Sequence, residues 1–302
     1  MVKIAAVTGG NRGIGYAVVE RLCEELGPES IVYLCARDPG RGQAACDELA
    51  AKGLRPTLIR LDISSDDSVD EWAETIRSRH GGLDILVGNA AAVPGPDQRG
   101  EIDEFFNTNN GGTDRLIRHA RTLLRDGARF LTVASRHGVI TNESFLASEA
   151  PERDAQKNRL FGATSYMMSP ANRRRFYAEH ATAASLRETL DDFRASFRAG
   201  TAIADGWPDW INIPSKAGQV AATLIFAREM EEEARRRDIL INACCPGFVE
   251  TDSTRRVYDD FSAAMSPRVA SADLVWAVTL PPGTSEPYGR MLRNRQVLQV
   301  HD

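Results

Sequence analysis

Short apolar runs alternate along the chain with longer stretches in which apolar residues recur every third or fourth position, as in buried strands separated by amphipathic helices. Residues 3–8 (KIAAVT) form the first run and end at Gly9-Gly10, after which Ile14, Ala17, Val18, Leu22 and Leu26 mark one face of a helix over 13–26. The alternation continues with IVYLCA at 31–36, a helix near 40–52, TLIRLD at 57–62, a helix near 66–79 and LDILVG at 83–88. A helix over 111–125 precedes RFLTVA at 129–134, and a helix over 216–236 precedes DILINAC at 238–244. Strands alternating with helices of this length require right-handed crossovers. The pattern therefore predicts an α/β chain built on a doubly wound, mainly parallel sheet with helices on both faces.

The alternation lapses between Ser135 and Lys216, where the residues are polar, mostly helical in pattern and build no further strand. We expect a single domain over 1–302 that carries a largely helical insertion at about 138–208, lying beside the carboxyl edge of the sheet where α/β folds bind ligands. Two readings stay open at this point, a surface layer covering a helix face and a lid over a substrate. Near 237, Glu231, Glu232 and Glu233 each precede an arginine by four residues, which fits a solvated helix end.

Composition narrows the function classes. A net charge of −5 with both signs interspersed gives no footprint for nucleic acid, and no apolar run is long enough to span a bilayer. Five cysteines without metal-ligand spacing fit a reducing compartment. The glycine-rich turn so soon after Met1 leaves no room for a signal peptide, so a cytoplasmic protein acting on a small molecule is expected, with no metal. Only four of the 37 basic residues are lysines, Lys3, Lys52, Lys157 and Lys216, so a lysine in a motif carries more information here than usual.

The chemistry begins at Thr8-Gly9-Gly10-Asn11-Arg12-Gly13-Ile14-Gly15, which follows a strand and opens a helix, so backbone amides and the positive helix end can receive a pyrophosphate. The second strand ends at Ala36-Arg37-Asp38, where an NAD site would present an acidic residue to the ribose. Arg37 and Arg12 suit a 2'-phosphate instead, which favours NADPH. A plain tight turn and plain surface arginines are the bland alternatives.

The TGxxxGxG spacing resembles the short-chain dehydrogenase/reductase family, and the resemblance runs on in order through Leu61-Asp62-Ile63, Gly88-Asn89-Ala90-Ala91, Thr108-Asn109, Val133-Ala134-Ser135, Lys216 and Cys245-Pro246-Gly247-Phe248-Val249-Glu250-Thr251-Asp252. The ARDPGRGQAA segment, the GWP at 206–208, NACCPGFVETD and the LPPG at 280–283 look more narrowly like the monomeric carbonyl reductases. The resemblance implies a Rossmann-type fold, a monomer, and a cofactor held by Gly9, Asn11, Arg12, Gly13, Ile14, Gly15, Arg37, Asp62, Ile63, Asn89, Lys216, Pro246, Gly247, Val249 and Thr251. Asp62 would accept from the adenine amino group, and Thr251 would contact the nicotinamide carboxamide.

The family's catalytic set is Ser, Tyr, a Lys four residues after the Tyr, and an Asn holding a relay water. Ser135, Lys216 and Asn109 match three positions. The fourth is Asn212, because WPDWINIPSKAG reads N-x-x-x-K where Y-x-x-x-K is usual. A carboxamide can hydrogen-bond to an oxyanion but cannot serve as a proton donor near neutral pH. The resemblance therefore implies an NADPH-dependent reductase of a carbonyl or C=N group with an atypical proton source. Its alternatives are a redox-neutral cyclase, isomerase or lyase in the same fold, or a non-catalytic NADPH-binding protein. Candidate replacement acids are Tyr166, Tyr177, Asp209, His137 and Arg136. Substrate contacts are expected from Arg136, His137, Trp207, Trp210 and Phe248, under a cover formed by 252–261.

Overall fold

The computed structural model describes residues 2–139 and 168–300. Candidate Tyr166 and the first part of the expected insertion lie outside that range.

Eight strands form one sheet: β1 (Ile4–Thr8), β2 (Ile31–Ala36), β3 (Thr57–Arg60), β4 (Leu83–Gly88), β5 (Leu124–Val133), β6 (Leu240–Cys244), β7 (Met291–Arg293) and β8 (Gln296–Leu298). Their spatial order is β3-β2-β1-β4-β5-β6-β7-β8, parallel throughout except for the antiparallel β7–β8 pair. Every residue of β1 and of β6 is buried, which is why these strands read as unbroken apolar runs rather than as an alternation. The strand order reverses between β1 and β4, so a crevice opens at their carboxyl ends, beside Gly9 and Asn89.

On one face lie α1 (Gly13–Leu26), α2 (Pro39–Ala51) and, near the chain's end, a helix over Pro267–Val278; Val18, Val19 and Leu22 pack there with Leu274, Val275 and Val278. The opposite face is covered by α3 (Asp66–His80), α5 (Gly112–Leu123) and the long helix Asn212–Arg237, through Trp72, Ile76, Leu116, Phe226 and Met230. Between β4 and α5 comes α4 (Gln98–Phe106), followed by a π-helical turn, Asn107–Gly111. At the amino-terminal rim Asp84 is an anionic clamp: it accepts from Ile4 N (2.8 Å), Arg125 Nη1 (3.1 Å) and Lys3 Nζ (3.3 Å).

Three expectations shift. The stretch expected to stay helical to 125 turns into β5 at Leu124, because Leu124 pairs with Leu83 and the ladder slips its register before Arg129 meets Ile85. The helix expected from 216 starts at Asn212, with Pro214 near its beginning, where a missing N–H costs nothing. The chain also adds two strands not read from the pattern, β7 and β8, each three residues long. At the end of the long helix, Glu231–Arg235 and Glu233–Arg237 form ion pairs as the spacing suggests.

In the described part of the insertion, α6 (Pro170–Tyr177) and α7 (Ala183–Ala199) precede the long helix, which is α8; the helix over Pro267–Val278 is α9. Phe176, Leu186, Leu190, Phe193 and Phe197 pack with Ile102, Phe105 and Phe106 of α4 and with Ile213, Ala217 and Ala221 of α8. This is a third helical layer laid on α4 and α8.

Candidate active site

A cleft of about 1190 Å³ runs along the carboxyl ends of the strands. At its switch point Thr8 Oγ1 accepts from the backbone amides of Asn89 and Ala90, both at 2.9 Å, while Asn89 Nδ2 donates to Thr8 O at 2.9 Å. These bonds hold the ends of β1 and β4 at a fixed spacing. Above them the glycines are required by geometry. Gly9 and Gly13 have φ of +65° and +55°, and a Cβ on Gly15 would stand 2.3 Å from the carbonyl oxygen of Gly9. The result is a bare backbone cradle at the amino end of α1, where Arg12 occupies the cap position with an extended backbone and makes no side-chain cap.

The end of β2 adds Arg37 and Arg41, which line the cleft with Arg12 and are exposed there. Asp38 caps α2 by accepting from Arg41 N at 3.1 Å, so the acidic residue that follows Arg37 does helix-capping work. Asp62 and Ile63 line the cleft after β3, and Asp62 Oδ1 accepts from Ser64 N and Oγ at 3.0 and 2.6 Å. A side of the cleft comes from Pro246, Gly247, Val249 and Thr251; the Thr251 methyl would lie 3.4 Å from a Cβ on Gly13. Every residue expected to hold the cofactor lines this one cleft. The bare cradle, the helix end and three arginines fit a phosphate-bearing dinucleotide.

At the other end stand Ser135, Arg136, His137, Trp210, Asn212, Lys216 and Phe248. Phe248 stacks on Phe261 (5.6 Å between centroids, 11° between planes) and meets Tyr258 edge-on, so the 252–261 stretch joins the cleft wall as a loop with a short 3-10 turn at Thr254–Arg256. Lys216 Nζ donates to Gln219 Oε1 at 2.7 Å, and burial lowers its ammonium to a pKa of about 8.

Four sequence-derived candidates do not reach the cleft. Asn109 is fully buried behind its wall: Oδ1 accepts from Ala92 N (2.7 Å), and Nδ2 donates to Ala92 O (3.3 Å) and Ser215 Oγ (3.4 Å). Its carbonyl oxygen accepts from Thr113 Oγ1 at 2.7 Å and Gln219 Nε2 at 3.2 Å, so a side-chain amide bridges Asn109 to Lys216 where the resemblance implies a water. Trp207 is buried in the third helical layer against Phe193 and Phe176, because its indole finds an aromatic pocket there three residues before the chain arrives at the cleft. Tyr177 is half-buried against the same layer, and its hydroxyl donates to Gly138 O. Desolvation pushes this phenol far above its ordinary range, which suits a strut and not an acid. Asp209 is absent from the cleft lining too.

Arg41, Glu101, Glu104, Phe105 and Arg293 line the cleft without having been picked out, whereas Arg255, Arg256 and Tyr258 line it from the stretch expected to form its cover. No spacing rule marks them, since they come from different loops and helices; only Arg41, four residues after Arg37, was within reach of the phosphate argument. None of residues 168–208 lines the cleft.

A parallel sheet wound in both directions, with a glycine cradle at its switch point, defines a Rossmann-type dinucleotide-binding protein. The chain belongs to the short-chain dehydrogenase/reductase family: the family model described as short chain dehydrogenase matches residues 3–148, and full-length relatives extend the match. It is 31% identical to carbonyl reductase (NADPH) 3 of Rattus norvegicus over 98% of this chain and 97% of the relative. It is equally 31% identical to carbonyl reductase (NADPH) 1 of Homo sapiens, over 99% and 98%. Salutaridine reductase from Papaver somniferum shares the fold with a TM-score of 0.72 at 20% identity, over 96% of this chain and 99% of that one. Among the described residues no helix is long and apolar enough to cross a membrane, and no cluster of His, Cys, Asp and Glu could hold a metal ion.

Proposed function

We infer that this protein is an NADPH-dependent reductase of a C=O or C=N group in a small organic molecule. One observation carries the reading: the cradle of Gly9, Gly13 and Gly15, the arginines 12, 37 and 41, and Lys216 share a single cleft, in a chain 31% identical to NADPH carbonyl reductases over nearly its whole length. NADPH, when bound, supplies a hydride. The protein's part is to bind, orient and handle the proton.

In this reading the amides of the cradle and the end of α1 take the pyrophosphate, and Arg37 and Arg12, joined by Arg41, take a 2'-phosphate. Asp62 and Ile63 meet the adenine. Lys216 reaches the ribose hydroxyls next to the nicotinamide, with Asn89 alongside. Pro246, Gly247, Val249 and Thr251 hold the carboxamide, and Arg136, Trp210 and Phe248 border the substrate. On this reading Ser135 and the Asn212 amide would face the substrate oxygen, Asn212 at the position to which the resemblance assigns the acid phenol. A permanently charged iminium needs no acid at all, since hydride addition gives a neutral amine directly.

The experiment is NADPH binding by fluorescence and NADPH oxidation over ketone, quinone, dicarbonyl and cyclic iminium substrates. Tight binding with turnover is expected, and Arg37→Ala should weaken NADPH by about 10-fold or more while leaving NADH unchanged, as for loss of one charge-assisted phosphate contact. A protein that binds no NADPH would sink the reading. Asn212 is also the residue that favours a second reading, redox-neutral chemistry in the same pocket; product formation that survives removal of all nicotinamide cofactor would select it.

A further inference from the structure

Resting on the reductase reading, we propose that His137, acting through the Ser135 hydroxyl, is the proton source that replaces the missing phenol for carbonyl substrates. His137 belongs to the turn that follows β5, and contacts with Ser135, Asn212 and Trp210 are among those that fix its ring. Nδ1 lies 3.1 Å from Ser135 Oγ and 3.4 Å from Asn212 Nδ2, and the ring stands edge-on to Trp210, 4.7 Å between centroids at 86°. The ring thus bridges the serine at the end of β5 and the asparagine that begins α8.

The turn that carries it is held on both sides. A Cβ on Gly138 would come within 2.7 Å of Val220 Cγ2 and 2.9 Å of Lys216 O, so the turn can press onto α8 only because this residue is glycine. On its other side Tyr177 donates to Gly138 O and, at 3.4 Å, to Ala217 O. Glycine and strut together set the imidazole over Asn212.

The two bonds at Nδ1 suit the two protonation states. An imidazolium donates from Nδ1 to Ser135 Oγ. A neutral ring with its proton on Nε2 accepts at Nδ1, and an amide nitrogen such as Asn212 Nδ2 can only donate. During reduction a C–H bond forms at the carbonyl carbon as the hydride arrives, and the C=O π pair takes the Ser135 hydroxyl proton. Ser135 takes the Nδ1 proton in turn, leaving an alcohol and a neutral imidazole that Asn212 then stabilises; solvent reprotonates the ring. Asn212 on this account favours the spent state of the acid.

The test compares native protein with His137→Gln and His137→Ala on two probes, 2,3-hexanedione and N-methyl-3,4-dihydroisoquinolinium, with NADPH binding followed separately by fluorescence. The diketone kcat should fall by about 10²- to 10⁴-fold in both variants, the usual worth of positioned acid catalysis, while iminium reduction and NADPH binding hold. Added imidazole should recover part of the diketone rate in His137→Ala. Equal loss on both probes would mean that the ring is structural, and an unchanged diketone rate would put the acid elsewhere; either overturns the proposal. Native turnover of the iminium alone would also overturn it while leaving the reductase reading standing. Native protein that binds NADPH but reduces neither probe would overturn both.

Discussion

Lys216 shows how much a single side chain in this cleft costs. Its ammonium is charged in both folded and unfolded chains below about pH 8, so there the fold carries the whole desolvation penalty. Between about 8 and the ordinary lysine value near 10.4 the unfolded chain holds a proton that the folded chain has released, so the group's contribution becomes more favourable as pH rises. Lys216→Met should therefore raise the melting temperature of the cofactor-free protein at pH 7, by an amount equivalent to about 1–3 kcal/mol after allowing for its contact with the cleft, and the gain should shrink toward pH 10. Thermal melts at the two pH values check it; a variant less stable at pH 7 would contradict it. The lysine itself was readable, because it sits in N-x-x-x-K in a chain that otherwise uses arginine. Gln219, which holds its ammonium, was not: one turn further along α8 it belongs to no motif, and its value comes from reaching both Lys216 and Asn109.

At the scale of elements, the glycine turn and the helix it opens act as one piece. Gly15→Ala would drive a methyl into Gly9 O and Asn89 Nδ2, at 2.3 and 2.5 Å, and only a shift of α1 away from the β1–β4 ends relieves it. Overpacking of this kind typically costs about 1–3 kcal/mol, and the expected result is a lower melting temperature together with NADPH binding weakened beyond the reach of added ligand. Fluorescence titration beside a thermal melt reads both. Strand and helix identities were legible along most of the chain because buried parallel strands and amphipathic helices have distinct periods. The failures have local causes. Leu124 was drawn into β5 by its partner Leu83, and β7 and β8 are too short to show a period. Trp207 and Trp210 look alike in sequence, yet one fills the helical layer and the other braces His137, a choice made by the turn between them.

Across the whole molecule, the third helical layer backs the cleft along α4 and α8, where Phe105 and Trp210 belong both to the layer's core and to the cleft lining. Trp207→Ala removes an indole packed against Phe193 and Phe176 and covered by the Arg175 guanidinium, for a loss of about 3–5 kcal/mol. Because no residue of 168–208 lines the cleft, NADPH affinity should stay at the native value while urea unfolding shifts to lower midpoint. An affinity that falls in step with stability would show that the layer holds the cleft's shape. Most of the fold was readable, and so were the residues lining the glycine-turn end of the cleft, Arg41 apart, because they are backbone and arginines close to one turn of the sequence. The substrate end was readable only in part, since its wall is gathered from loops far apart in the chain.

Arg12, Arg37 and Arg41 stand exposed along one stretch of the cleft in a protein of net charge −5. Their field opposes the net charge of the molecule, so if the cleft takes a dinucleotide as proposed, its phosphates are drawn toward this stretch. On that reading encounter speed should depend on ionic strength far more than residence time does, the arginines guiding the approach through solvent and the glycine cradle holding the ligand, which stopped-flow binding at two salt concentrations would check.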